Sequence, residues 1–461
     1  MEVKVISVNP VIFREYDIRG IVGRDLTETV VEHLGRAYGT YIRRLGLRDV
    51  VVGRDGRLSS KGFQEAITRG ILSTGCNVTD IGLCPTPVLY FSIFHLDKEG
   101  GIAVTGSHNP KNYNGFKICA GKETIYGRQI QELRTLIENE DYEKGSGRID
   151  SYDIIPDYLN FLKENIKASG PLKVVIDAGN GVTGITAPRI LKEIGCEVFS
   201  LYCEVDGNFP HHIADPTVIE NLKDLIGKVK EVKADVGFAY DGDGDRLGVV
   251  DENGEILWGD QLLMIFSRDI LKKNPGAKII GEVKCSQLLF DDIKKHGGQP
   301  IMWKVGHSLI KNKLKEENAL LAGEMSGHIF FKDRYFGFDD AVYACLRLVE
   351  ILTQGEQRLS EILADVPKVY STPEIRTECP EEIKFKVVER AKEYFGKQYN
   401  CVTIDGVRII FDDGWALIRA SNTQPALVLR FEARSKERLE EIKGMIEERL
   451  KGFMEDIRCK E

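Results

Sequence analysis

No stretch of this 461-residue chain is apolar over the length needed to cross a bilayer. Its opening, Met1-Glu2-Val3-Lys4-Val5, also lacks the basic and then apolar pattern of a signal peptide. A soluble, cytoplasmic protein with no membrane partner is expected. Cys-x-x-Cys pairs are missing too. Ten cysteines are scattered singly, which argues against zinc ribbons and dithiol redox chemistry and fits buried thiols in a reducing compartment. Nor is there an excess of positive charge. With 63 Lys and Arg against 71 Asp and Glu, the net charge of −8 gives no support for nucleic-acid binding, whereas a small anionic substrate needs only a local basic pocket.

What is present is ordinary globular composition, 42% hydrophobic and 29% charged, on a chain longer than one core usually supports. An internal repeat organises it. A β-branched run, a polar turn, an amphipathic helix, a glycine stop and a second apolar run recur three times. The first copy joins Val50-Val51-Val52 to Val78–Ile81 through a helix near 61–73 and the Gly75 stop. The second joins Val174–Asp177 to Val198–Tyr202 through a helix around 187–193 and Gly195, and the third joins Lys278–Glu282 to Ile301–Trp303 through 288–295 and Gly297. Three related α/β domains with mixed sheets follow. After Pro367 the rhythm changes to a strand over 370–375, a helix over 381–395, paired strands over 402–411 around Asp405-Gly406, a strand over 427–431 and a charged helix over 436–451. That is a smaller α+β domain. The expected boundaries are 1–153, 154–256, 257–367 and 368–461.

Four polar loops carry the chemistry. Thr105-Gly106-Ser107-His108-Asn109-Pro110 ends an apolar run and precedes Lys117, so Ser107 could carry a phosphoryl group among His, Asn and Lys donors. A Ser-His-Asp hydrolase is disfavoured, because the Gly-x-Ser-x-Gly elbow is absent and adjacent Ser and His side chains are expected to point apart. In Asp241-Gly242-Asp243-Gly244-Asp245-Arg246, three carboxylates at alternate positions can converge on one hard cation, and Arg246 would share transition-state charge with it. An EF-hand is excluded there, since Arg246 takes the position that needs Gly and both flanks read as strands. Gly323-Glu324-Met325-Ser326-Gly327-His328, followed by Phe338-Asp339-Asp340, reads as an extended loop on which Glu324 and Ser326 point the same way toward sugar hydroxyls, with His328 able to move a proton. Arg419-Ala420-Ser421-Asn422-Thr423-Gln424 offers a guanidinium, hydroxyls and an amide to an oxyanion, without a Walker lysine.

A competing signal lies at Gly179-Asn180-Gly181-Val182-Thr183-Gly184, a literal Gly-x-Gly-x-x-Gly with Glu204 beyond it. It is the basis for an NAD-dependent oxidoreductase reading. Asp177-Ala178 between strand and motif, Pro188 in the following helix, and the lack of the pattern in the first repeat all weigh against it.

With these loops in hand, the chain resembles the α-D-phosphohexomutases, and most closely their bifunctional phosphomannomutase/phosphoglucomutase branch. The four loops look like the family's phosphoserine, magnesium, sugar-recognition and phosphate-binding loops, in family order. Phe13-Arg14-Glu15-Tyr16-Asp17-Ile18-Arg19-Gly20 looks like its N-terminal signature, which implies that Tyr16 and Arg19 line the site. Lys284 and the His307 of Trp303-Lys304-Val305-Gly306-His307 match segments that bring Lys and His to the substrate. The resemblance implies four domains around a central cleft and conversion of hexose 1-phosphate to hexose 6-phosphate through phospho-Ser107 and a hexose 1,6-bisphosphate. It further implies Mg2+ on Asp241, Asp243 and Asp245 with Ser107, and support from His108, Lys117, Arg246 and His328. Glu324, Ser326, Arg419, Ser421, Asn422 and Thr423 would hold the substrate. Met325 and Ala420-Ser421-Asn422 differ from the phosphoglucosamine mutase pattern, which favours glucose and mannose phosphates. A non-catalytic sugar-phosphate binding protein would need neither Ser107 nor the three aspartates. Oligomeric state is not legible.

Overall fold

The computed structural model describes residues 8–168, 170–421 and 425–458. The first repeat is Asp49–Arg54, Ser60–Leu72 and Asn77–Leu83; the second is Lys173–Asp177, Ala187–Glu193 and Glu197–Leu201; the third is Lys278–Glu282, Gln287–Lys295 and Gln299–Trp303. Gly75, Gly195 and Gly297 have φ of +89°, +97° and +79°, the left-handed conformation that lets glycine end each helix. Pro188, read as an interruption, sits in the first turn of its helix, where its missing N–H costs nothing.

Each repeat contributes two parallel strands, and each sheet then grows through a β-hairpin. Asp49–Arg54 lies parallel to Gly100–Val104, which turns back into antiparallel Tyr113–Ala120. Lys173–Asp177 lies parallel to Val236–Tyr240, which turns back into Leu247–Asp251. Lys278–Glu282 lies parallel to Leu321–Gly323, which turns back into Ile329–Phe331. These are mixed sheets, as expected. The fourth sheet is antiparallel and built around the hairpin Gly414–Ala420 and Ala426–Ala433. The strand expected over 370–375 is instead two short pieces, Tyr370–Ser371 and Ile375–Glu378, both on Ala426–Ala433. Pro373 lies between them and has no N–H to give the ladder. The last helix runs on to Arg458.

Strand alternation explains how the first three sheets meet. Val51, Val174, Ile176 and Ile279 enter one apolar cluster shared by three domains. Their neighbours Val50 and Val52, Val175, and Ile280 face separate cores of the first, second and third domains. One face of each sheet is therefore private and the other common. The fourth domain has its own core, including Val387, Phe395, Ile409, Leu429 and Ile442. Among the described residues, no helix is long and apolar enough to cross a membrane.

Candidate active site

In every domain the polar loop singled out by sequence is the tip of that hairpin. Residues 105–112, 241–246 and 324–328 join strands already hydrogen-bonded to each other, so the sheets fix where these tips sit, and the fourth loop lies in sequence between the paired strands Gly414–Ala420 and Ala426–Ala433.

The first two tips meet. Ser107 is buried, and its hydroxyl donates to Asp241 Oδ2 at 2.7 Å. His108 Nδ1 lies 3.2 Å from the same Oγ, contrary to the expectation that the two side chains diverge. The reason is the backbone: Ser107 has φ of +47°, outside the extended geometry on which that expectation rested. Burial, with Arg246 and Arg19 nearby, pushes the His108 imidazolium well below its usual range, so His108 is neutral.

Asp241, Asp243 and Asp245 are fully buried, and ligand oxygens of all three lie within 4.8 Å of one another. Asp241 Oδ1 accepts from the N–H groups of Gly244, Asp245 and Arg246 at 3.0, 3.1 and 3.2 Å, which curls the tip inward. Lys117 donates to Asp243 Oδ2 at 2.6 Å and to Asp245 Oδ2, and Thr86 Oγ1 donates to Asp243 at 2.5 Å. Burial and repulsion from Asp243 and Asp245 push the Asp241 carboxyl well up. Burial acts the same way on Asp243, but the Lys117 charge and the bonds from Lys117 and Thr86 outweigh it and hold Asp243 low. Asp243 Oδ1 and Asp245 Oδ1 have no hydrogen-bond partner within the described structure. A buried, all-oxygen, carboxylate-rich set of this kind fits a hard divalent cation.

A second buried group, Asp245, His328 and Asp339, also has metal-ligand spacing. Its histidine argues against a metal. Arg246 Nε donates to His328 Nε2 at 3.0 Å, so Nε2 is an acceptor and the ring proton belongs on Nδ1, 2.9 Å from Asp339 Oδ2. Lys311 donates to the other Asp339 oxygen at 3.1 Å. Lys311, Asp339, His328 and Arg246 thus stand in a line of close contacts, in which Asp339 Oδ2 and His328 Nδ1 are near each other but outside hydrogen-bond alignment.

The third tip is a turn rather than an extended loop. Gly327 donates to Glu324 O at 3.0 Å and has φ of +91°, because the chain must reverse between two paired strands. Glu324 and Ser326 therefore do not alternate along an extended segment. Glu324 Oε1 accepts from Gly306 N at 2.8 Å, which ties the tip to the segment carrying His307. His307 and His328 rings stack at 5.8 Å, and the Tyr16 ring meets His307 edge-on at 6.1 Å. Tyr16 also donates to Val305 O at 2.8 Å, while Arg19 is held by Asp17 and Asn109. Burial and Lys311 push His307 well below its usual range. Lys284 pairs with Glu374 at 3.1 Å and lies 3.8 Å from Glu282.

In the fourth domain Arg419 Nη2 lies 3.2 Å from Asp405 Oδ2, and Val305 N donates to that same oxygen at 3.0 Å. Ser421 is buried and donates its N–H to Ala426 O at 2.9 Å. Asn422 and Thr423 lie outside the described residues.

Sequence reading missed Arg57 as a site residue. It is buried in the turn after Asp49–Arg54 and donates to the carbonyls of Ser107, Asn109, Pro110 and Tyr113 at 2.6 to 3.0 Å. Asp55 beside it accepts from Thr105 Oγ1 and Gly106 N. The glycine-rich stretch at 179–184 has a packing explanation, because a side chain on Gly181 would strike Gly242 O at 2.9 Å. It backs the aspartate tip.

Family models reproduce this order. The phosphoglucomutase/phosphomannomutase alpha/beta/alpha domains I, II and III match residues 10–144, 156–254 and 258–370, and the family's C-terminal domain matches 374–449. A phosphomannomutase/phosphoglucomutase of Pseudomonas aeruginosa is 50% identical over 95% of each chain. A phosphoglucomutase of Neisseria gonorrhoeae is 46% identical over 95% of this chain and 96% of its own. The crystal structure of a phosphoglucomutase/phosphomannomutase family protein from Burkholderia thailandensis superposes with a TM-score of 0.92 at 44% identity, covering 97% of this chain and 98% of that one. With four tips in family order on four matching domains, the chain belongs to the phosphoglucomutase/phosphomannomutase family of mutases.

Proposed function

We propose that this enzyme interconverts hexose 1-phosphates and hexose 6-phosphates of glucose and mannose, with Ser107 carrying the phosphoryl group. The observation that carries this reading is the 2.7 Å bond from Ser107 Oγ to Asp241, at a buried aspartate triad also held by Lys117. Mg2+ fits that triad, with Asp241, Asp243, Asp245 and a Ser107 oxygen as ligands; when bound it supplies charge neutralisation for the transferring group.

Phospho-Ser107 transfers its phosphoryl group to the free hydroxyl of the bound hexose phosphate. The new O–P bond forms as the Ser107 O–P bond breaks, and the hydroxyl proton passes to a base. The resulting hexose 1,6-bisphosphate turns over and returns its other phosphate to Ser107, so free bisphosphate acts as activator. Lys117 and Arg246 stabilise the transferring group. His328 is the base: Arg246 covers its Nε2 here, and turning Arg246 to the phosphoryl oxygens frees that atom while Asp339 keeps the proton on Nδ1. Neutral His108 orients Ser107 Oγ. Tyr16, Arg19, Lys284, His307, Glu324 and Ser326 bind the sugar, and Arg419, Ser421, Asn422 and Thr423 hold the phosphate that is not reacting. Domain limits at 153/154, 256/257 and 367/368, and residence in the cytoplasm without nucleic-acid or membrane partners, complete the reading.

A coupled assay with the 1-phosphates of glucose, mannose and glucosamine tests the function. Turnover of the first two and phosphate on the Ser107 peptide are expected. A marked preference for glucosamine 1-phosphate would move the chain to another branch, and full activity in Ser107→Ala would remove the phosphoserine mechanism.

A further inference from the structure

Behind the catalytic tips, between the first and third domains, lies a cavity of about 230 Å³. Tyr90, Phe94, Phe336 and Phe338 stand among its walls, and none of the described tip residues lines it. These rings already pack on one another, Tyr90 against Phe338 at 5.5 Å and Phe94 against Phe336 at 4.8 Å. Cations stand over them. Lys311 Nζ is 4.3 Å from the Tyr90 ring centre and Lys122 Nζ is 5.6 Å from that of Phe94. Glu123, the one acidic side chain among the described lining residues, is paired with Lys315. Lys122 donates to an exposed Asp97 at 3.0 Å.

Flat aromatic walls beneath ammonium groups suit a flat aromatic anion, whose rings replace water against Phe94 and Phe338 while its charge meets Lys122 and Lys311. The volume lies below the roughly 300–1,000 Å³ of most small-molecule pockets, which limits the occupant to one or two rings.

Lys311 makes the cavity consequential. It lines the cavity and its ammonium donates to Asp339 at 3.1 Å, the residue 2.9 Å from His328 Nδ1. We propose that this cavity is a regulatory site for a small aromatic carboxylate, and that an anion bound there draws Lys311 from Asp339 and slows turnover through His328. The binding half stands on the cavity alone; the kinetic half rests on the mutase reading.

The probe is 1-naphthoate, measured by calorimetry and by steady-state kinetics on the full chain. One-to-one binding in the millimolar range or tighter is expected from about 13 ligand atoms of ordinary efficiency. Saturation should lower kcat at least threefold and leave KM within twofold. Lys122→Glu, on an exposed side chain remote from the tips, should weaken binding at least fivefold with basal kcat unchanged. Lys311→Met should bind weakly and lose the kcat response. Absence of one-to-one binding, unchanged affinity in both variants, or inhibition that raises KM with kcat intact would each overturn the proposal. Naphthoate binding to a protein with no mutase turnover on any hexose phosphate would instead overturn the mutase reading and leave the cavity assigned.

Discussion

The first three domains and the fourth are fastened by different physics. Phe91 of the first domain touches Tyr158 and Phe161 of the second and Phe336 of the third, inside a cluster that runs on through Phe238, Phe266 and Tyr343. The fourth domain docks through polar groups. Arg408, fully buried and stacked 3.8 Å over Trp415, donates to Val283 O and Cys285 O at 2.7 Å, and Arg430 donates to Lys284 O. Among the described residues the apolar cluster there is small: Val283, Trp415 and Leu417, with Met302, Val305, Ile404 and Ile410 packed against it. Ser107, the aspartate triad and His328 thus sit on a block that cannot come apart without exposing its core. Arg419 arrives on a body held by directional bonds that water can replace. Those bonds grip the backbone at and on both sides of Lys284, so the docking of the fourth domain fixes the turn that carries Lys284.

Breaking the apolar side should cost most. Phe91→Ala removes a ring that spans three domains and should lower the unfolding free energy by about 3–5 kcal/mol. Urea denaturation would show the three-domain block losing stability as one unit; a loss confined to the first domain would refute the shared core.

The second test concerns Asp340, which accepts from Tyr158 of the second domain and Tyr335 of the third. Burial outweighs these bonds and pushes its carboxyl up to about 6. Because the folded value is raised, its contribution to stability is present below the ordinary carboxyl range and is lost as pH rises through about 6. That loss amounts to about 3 kcal/mol by pH 7. Asp340→Asn should remove it, so the variant gains on the wild type between pH 4 and 7. Parallel stability profiles would show that Asp340 ionises freely.

On the polar side, Arg408→Met should cost about 1.5–3 kcal/mol and act locally. Hydrogen exchange should quicken in the sheet containing Val407–Phe411 while protection of Val236–Tyr240 stays put. Uniform loss over all four domains would erase the distinction drawn above. The smallest effect belongs to the exposed pair Glu123 and Lys315, which bridges the first and third domains at the surface. Glu123→Gln should change stability by less than about 1 kcal/mol. A larger change would mean that the rim, not the core, joins those domains.

Periodicity made the three repeats legible, since Val50–Val52 and its counterparts announce strands and Gly75, Gly195 and Gly297 announce the ends of helices. Most of the fourth domain was readable, but at Pro373 one expected strand became two, and the final helix runs past the expected 451 to Arg458. Within the site, residue types and their spacing pointed to Ser107 and the aspartate triad, but not to how side chains meet. The Ser107–His108 contact depends on a left-handed φ that no spacing reveals, and the turn at Gly327 depends on pairing of Leu321–Gly323 with Ile329–Phe331. Arg57 and Asp55 act on a loop some fifty residues away. Asp339 stood beside a recognised motif, yet its role appears only where the chain folds it onto His328. Local pattern reports elements; contacts made across the fold are invisible to it.

Placing each reactive loop at the tip of a hairpin also bears on how such a protein can change over time. The two strands beneath a tip are already paired and buried, so a tip can be lengthened, shortened or exchanged without asking either strand to move. On the function proposed above, substrate preference can then drift in residues 324–328 while 105–112 and 241–246 are inherited intact, and the same separation makes each tip a cassette for laboratory recombination between distant members of the family.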